Sequence, residues 1–240
     1  AQSPIPNPQT PIPNPQYLSN NNNFIILKAL KYLNINKIKN SISMDESSLS
    51  GFTTENSLSI SSKEMPINSC RKYEKYFSKY ISKDLKKRII KSIAQNLKGI
   101  IKENIQNNQM KFVIKSDIFY LNHFPPISIE DYINRIYNGT KMNISTLIMS
   151  IIYIDRFCET NGYVLSLNNI HRILLAACLL SIKFNEDFNM NTQYYANVAG
   201  VQVNDLNNLE CYLYVKLKFS LFVEYDFYQK YFEYFCQSLN

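Results

Sequence analysis

The sequence predicts an all-α domain, built as a small orthogonal bundle of helices. Glycine is scarce, with 5 in 240 residues, and most of the 9 prolines lie near the N-terminus or at Pro125-Pro126. The centre of the chain is therefore free of helix breakers. Two segments, 144–159 and 167–185, are apolar on nearly every side. We interpret them as buried central helices, surrounded by amphipathic ones.

Residues 1–70 are predicted to be mostly disordered. The hexapeptide Pro-Ile-Pro-Asn-Pro-Gln occurs at 4–9 and again at 11–16, and a proline-rich repeat of this kind cannot pack a core. Ser, Thr and Asn dominate 41–62. Between these tracts, apolar residues at helical spacing over 24–33 predict a short docking helix.

Residues 71–117 are predicted to form a basic, amphipathic helical segment that packs on the domain after it. Residues 71–115 hold 13 Lys or Arg against 3 Asp or Glu, within a chain of net charge +7. The predicted helix spans 84–107, with an apolar residue at every fourth position. These positions are Leu85, Ile89, Ile93, Leu97, Ile101 and Ile105.

The main domain is predicted to span 118–240. Near its start, Pro125-Pro126 forces an extended backbone before the first helix. Its first helix opens at Ser128, with Asp131 three residues later as in a capping box, and stops at Gly139. The second opens at Asn143 or Ser145 and ends at Asn161-Gly162. The third is expected to be capped by Ser166 and to run from 167 to about 185.

Three further helices are predicted. A short one spans 192–199 and is closed by Gly200. The next begins at Asn204 or Asp205 and reaches about 218. The last covers about 224–239 and is aromatic along one side, with Phe227, Tyr231, Tyr234 and Phe235.

Composition excludes several classes of protein. The five cysteines are far apart and form no CxxC pair, which predicts reduced thiols in an intracellular protein and neither a disulfide framework nor a zinc site. Two histidines, His123 and His171, give no metal-ligand cluster, and His171 is expected to be a core or capping residue. The longest apolar run, 173–182, is too short for a membrane span of about 20 residues. The sequence contains no catalytic nucleophile, phosphate-loop or paired-carboxylate motif, so neither an enzyme nor a bound cofactor is expected.

Several short motifs occur in a characteristic order: Tyr153-Ile-Asp-Arg-Phe157, Ser181-Ile-Lys-Phe184 and Leu209-Glu210. They are accompanied by 126–133 (PISIEDYI), 166–172 (SLNNIHR) and 194–201 (YYANVAGV). Together these motifs resemble the cyclins, most closely the single-box group containing the yeast phosphate-starvation cyclin and the plant P-type cyclins. The resemblance implies a single cyclin box, a five-helix orthogonal bundle, with flanking N- and C-terminal helices.

The resemblance also implies a function. Cyclins bind and activate the catalytic subunit of a cyclin-dependent serine/threonine kinase by packing against its αC helix. A Lys ending the third box helix and a Glu on the fifth bind the kinase, and these roles fall on Lys183 and Glu210. The other contact positions of the family match Phe184, Glu186, Tyr214 and Phe219. Each of the two charged residues has a plainer explanation when taken alone: Lys183 complements a helix dipole, and Glu210 is a solvated helix residue.

Asp155 and Arg156 are assigned to structure, because an acidic residue in so apolar a helix needs a partner. In many cyclins that partner precedes the first box helix, where this chain has Pro126. We therefore expect Arg135 or Arg172 to pair with Asp155. The substrate-docking motif of cell-cycle cyclins is absent from the same place, so that docking mode is not expected.

Two alternatives stay open from the sequence. A cyclin-fold transcription or nucleic-acid-binding factor would use the basic residues of 71–115, although a solvated helix face accounts for them as well. A cyclin-fold scaffold would bind a partner without activating it. The location is expected to be the nucleus, the cytoplasm or both.

Overall fold

The computed structural model describes residues 81–237, which form seven α-helices and contain no strand. The predicted all-α class is confirmed. Residues 1–80 and 238–240 lie outside the described part of the chain. The helix predicted at 24–33 and the domain boundary predicted at residue 70 fall among them. The helices are α1 (Lys83–Gln106), α2 (Ile129–Thr140), α3 (Ile144–Asn161), α4 (Ile170–Asn185), α5 (Thr192–Ala199), α6 (Val203–Lys216) and α7 (Tyr225–Gln237).

Helices α3 and α4 form the centre of the bundle, as their all-round apolar surfaces predict. They pack against each other, and about three quarters of their residues are buried. Helix α6 lies against α4 through Leu206, Leu209 and Leu213, which are fully buried. Several other residues of α6, Glu210 and Tyr214 among them, remain at least partly exposed.

Helix α1 packs on α2 and α7, so it is joined to the bundle. The apolar stripe predicted along α1 is buried at Ile89, Ile93 and Leu97, whereas Ile105 at its far end is half exposed. Asn96 hydrogen-bonds to the Tyr234 hydroxyl of α7. No helix within 81–237 combines the length and the apolar character that crossing a bilayer requires.

Helix α2 begins as predicted, because the Ser128 hydroxyl accepts the Asp131 N–H at 3.1 Å. The predicted stop at Gly139 is wrong: the helix continues to Thr140 and ends at Lys141, whose φ is 57°. Gly139 serves close packing on α5 instead. A Cβ at this position would lie 2.5 Å from Val198 Cγ1, so only glycine allows α2 and α5 to approach this closely.

The start of α4 also differs from the prediction. Ser166 does not cap the helix, which begins at Ile170 after Asn169. The Asn169 side chain accepts the Ser166 N–H at 2.8 Å, and the Ser166 carbonyl accepts the Ile170 N–H at 3.1 Å. A turn closed by the buried Asn169 side chain therefore precedes the helix, which begins later in the chain than predicted.

Candidate functional site

Lys183 and Glu210 form an ion pair at the surface, with Lys183 Nζ 2.7 Å from Glu210 Oε2. Lys183 lies in the last turn of α4, and Glu210 lies on α6 beside the buried Leu209. The packing of α6 on α4 therefore brings together two residues that are 27 positions apart. Their side chains are 37% and 16% exposed, so both are accessible to a partner.

Exposed aromatic rings extend from this ion pair. Phe184 follows Lys183 directly and is 50% exposed. Tyr214 lies one helical turn after Glu210, and its ring packs edge-on against Phe219 with centroids 4.9 Å apart. We call these five residues, Lys183, Phe184, Glu210, Tyr214 and Phe219, the Lys183 face. Apolar groups exposed together in this way mark interaction surfaces in soluble proteins.

The end of α6 fixes the positions of Tyr214 and Phe219. The Phe219 N–H donates to the Tyr214 carbonyl at 3.1 Å, and the Lys218 N–H donates to the Val215 carbonyl at 2.9 Å. This pair of bonds defines a Schellman motif, in which an apolar contact commonly joins the outer two residues. The Tyr214–Phe219 ring contact is that apolar contact, so the motif accounts for their proximity but leaves Phe219 62% exposed.

Residues of α3 hold the chain immediately after this motif. The Arg156 guanidinium donates to the carbonyls of Ser220 at 2.6 Å and Phe222 at 3.2 Å. The Tyr153 hydroxyl donates to the Leu221 carbonyl at 2.8 Å. Burial lowers the pKa of Arg156 from its ordinary value. Sequence reasoning assigned Arg156 to structure, but it missed Tyr153 and the exposed ring of Phe222.

Glu186 has an intramolecular role that sequence reasoning missed. Its carboxylate accepts the backbone N–H and the side-chain amide of Asn143, at 2.8 and 2.7 Å, and the Thr146 hydroxyl at 2.6 Å. Asn143 is the N-cap of α3 but makes no side-chain capping bond itself. Glu186 therefore does for α3 what the acid of a capping box does within one helix, and it ties the end of α4 to the start of α3.

The predicted partners of Asp155 are wrong. Asp155 is 2% exposed, and its carboxylate accepts a hydrogen bond from the Tyr231 hydroxyl of α7. Arg135 instead donates to the Val198 carbonyl at 2.7 Å, and Arg172 pairs with Asp205 of α6. The Tyr231 hydroxyl therefore supplies one hydrogen bond that the buried carboxylate needs. Burial and the nearby Asp155 charge keep the pKa of Tyr231 well above its ordinary value.

His171 lies in the core, where its Nε2 is 3.0 Å from the Ile127 carbonyl. Burial lowers the pKa of His171 from its ordinary value, so the ring is neutral at pH 7 and Nε2 carries the donated proton. Within 81–237, no group of three His, Cys, Asp or Glu side chains is arranged to hold a metal ion.

Comparison with known proteins points to one family. A sequence model described as Cyclin matches residues 40–221. Cyclin-U2-2 of Arabidopsis thaliana is 36% identical over 118 residues, which cover 49% of this chain and 51% of the relative. Cyclin-P3-1 of Oryza sativa subsp. japonica is 26% identical over 140 residues, covering 56% of this chain and 59% of the relative. The chain spans about half the length of the curated relatives it matches.

Proposed function

Since the chain belongs to the cyclin family, we propose that it binds and activates the catalytic subunit of a cyclin-dependent serine/threonine kinase. The Lys183 face makes the contact and packs against the αC helix of the kinase. Kinase catalysis requires an ion pair between a β3 lysine and an αC glutamate. A subunit that binds the inward position of αC shifts the equilibrium toward the active form without a chemical step of its own.

The observation that carries this proposal is the ion pair at the edge of exposed aromatic rings. Phe184, Tyr214 and Phe219 supply apolar area that becomes buried on docking. The Lys183 ammonium has three N–H donors and directs one to Glu210. Glu210 fixes the direction of the other two, which are available to carbonyl groups of a partner. The rings supply affinity and the oriented charges supply register.

Glu186 contributes indirectly to the same contact. Its three hydrogen bonds to the start of α3 are satisfied within the chain, so it positions the end of α4. Lys183 and Phe184 lie directly before it and depend on that anchorage. We therefore treat Glu186 as a positioning residue.

The test exchanges the two charges. The variant Lys183→Glu/Glu210→Lys keeps an ion pair between α4 and α6 but reverses the charge at each position. We expect its helical circular dichroism to match the wild type and its capture of purified cyclin-dependent kinases to fall at least ten-fold. The matched control is Lys98→Glu/Glu130→Lys, which reverses the exposed pair between α1 and α2. Normal capture and activation by the first variant would remove the Lys183 face from the interface.

Peptide phosphorylation with and without the chain separates activation from binding alone. We expect the captured kinase to phosphorylate its peptide faster with the wild-type chain. Capture without any gain in rate would favour the scaffold alternative.

The nucleic-acid alternative is favoured by one observation, the exposed lysines on one side of α1. They are Lys83, Lys87, Lys91, Lys98 and Lys102. Phosphate contacts by these residues would give an affinity for duplex DNA that falls steeply with salt. We expect no retention of duplex DNA at about 0.15 M salt, the physiological ionic strength. Tight binding of duplex DNA at this ionic strength would favour the alternative if added salt and reversal of the Lys98 charge both weaken it.

A further inference from the structure

The turn after α6 is held in an unfavourable backbone conformation. Lys218 and Phe219 have φ of 53° and 60°, in the left-handed region that bulky side chains rarely adopt. Glycine is the usual residue at the first of these positions in a Schellman motif. Two consecutive residues other than glycine remain in this region only where surrounding contacts hold them.

The contacts that hold this turn come from α3. Tyr153 and Arg156 lie one helical turn apart, and together they bind three successive carbonyls, those of residues 220, 221 and 222. Tyr153 is fully buried, and most of the Arg156 side chain is covered as well. These donors are therefore fixed by the core of the bundle, and they act on the backbone rather than on the side chains of the turn.

The held turn keeps two aromatic rings in solvent. Phe219 is 62% exposed, and Phe222 is 60% exposed, although Leu221 and Val223 between and beside them are buried. Burying both phenylalanines would be favourable, yet the fixed carbonyls direct the alternate side chains Leu221 and Val223 into the core. The exposure is thus a consequence of how the backbone is held.

We propose that Tyr153 and Arg156 are positioning residues for partner binding, which hold the 217–222 turn so that Phe219 and Phe222 face the kinase. This inference rests on the proposed function and adds Phe222 to the binding surface, next to the Lys183 face. Ending α6 does not by itself require the contacts from Tyr153 and Arg156, because a glycine at 218 would end the helix without strain. The lysine at that position makes the turn depend on α3.

The first experiment uses the free chain and needs no kinase. Trypsin cleaves after exposed lysines in mobile backbone, and both Lys218 and Lys141 are exposed residues with positive φ. In the variants Tyr153→Phe and Arg156→Lys, we expect cleavage after Lys218 to be at least ten-fold faster, with cleavage after Lys141 unchanged. Mass spectrometry of the fragments gives both rates. Unchanged cleavage after Lys218, or an equal rise at both sites, would overturn the positioning role.

The second experiment measures capture of the kinase that the wild-type chain binds. We expect Arg156→Lys and Phe222→Ala each to weaken capture by about ten-fold, which corresponds to about 1.4 kcal/mol. Phe124→Ala is the matched control, because Phe124 is 65% exposed and lies near the opposite end of α4, where Leu121 bonds to Asn168.

A rescue variant separates positioning from general stability. In Arg156→Lys/Lys218→Gly the turn no longer needs to be held against strain, so we expect most of the lost capture to return. Wild-type capture by Arg156→Lys alone would overturn the inference. A wild-type chain that captures no cyclin-dependent kinase would overturn the proposed function and the assignment of Phe222, while the cleavage rates would still decide whether α3 holds the turn.

Discussion

Replacing Glu186 by alanine is expected to destabilise the junction between α3 and α4. The carboxylate accepts three hydrogen bonds, at 2.8 and 2.7 Å from Asn143 and at 2.6 Å from Thr146. It also places a negative charge at the N-terminus of α3, where the helix dipole favours it. The variant removes the acceptor and leaves the buried Thr146 hydroxyl without this partner.

The size of the effect follows from these contacts. A hydrogen bond to a charged group contributes about 1.5–3 kcal/mol, but Asn143 is only partly buried and regains bonds to water in the variant. We therefore expect a loss of about 2–3 kcal/mol in the free energy of unfolding, well below three full contributions. For a chain of this length, each kcal/mol lowers Tm by about 2–4 °C, so Tm should fall by about 4–12 °C.

Thermal unfolding followed by circular dichroism measures this change. Glu186→Gln keeps an acceptor oxygen and should lose roughly half as much. Glu103→Ala, at an exposed position on α1, is the control and should stay within about 0.5 kcal/mol of the wild type. A Tm for Glu186→Ala equal to the wild-type Tm would mean that the three bonds make no net contribution to stability.

Two further predictions concern the core. Tyr231→Phe removes a donor to the buried Asp155 carboxylate and should cost about 1–3 kcal/mol in urea unfolding; a loss below about 0.5 kcal/mol would contradict that role. His171 has a pKa below its ordinary 6.5, so the unfolded chain takes up its proton first. Above pH 6.5 the neutral ring leaves the free energy of unfolding at its full value. As pH falls below 6.5, the free energy of unfolding decreases by at most about 1.4 kcal/mol per pH unit. His171→Gln should flatten the slope of unfolding free energy against pH between 5 and 6.5, and identical slopes would contradict the assignment.

The apolar pattern predicted the helices because burial dominates their placement. The ten-residue apolar run in α4 and the Ser128 cap of α2 are local signals, because each depends only on residues a few positions apart. The errors arise where a distant contact decides. Gly139 looked like a stop because glycine often ends a helix, but its role is set by Val198 of α5. Ser166 looked like a cap because it precedes an apolar run, but the Asn169 side chain forms a turn there first.

The ion pair of the site was predictable from the resemblance, whereas its support was not. Lys183 and Glu210 were expected together, and they lie 2.7 Å apart. Nothing in local sequence indicates that Glu186 bonds to residues 40 and 43 positions earlier. The same holds for the pairing of Asp155 with Tyr231, 76 positions later. A buried carboxylate can accept a hydrogen bond from a neutral hydroxyl as well as from a charged group, so the charge pattern of the sequence does not identify this donor.

Hydrogen–deuterium exchange of the chain, alone and with a purified cyclin-dependent kinase that it captures, shows which surface a bound kinase covers. Docking on the Lys183 face should slow exchange in peptides covering 180–190 and 210–222, because their amides become shielded from water. Peptides of α1 covering 85–105 should exchange at the same rate in both states. Protection confined to α1, with unchanged exchange at the ends of α4 and α6, would mean that the kinase does not dock on the Lys183 face.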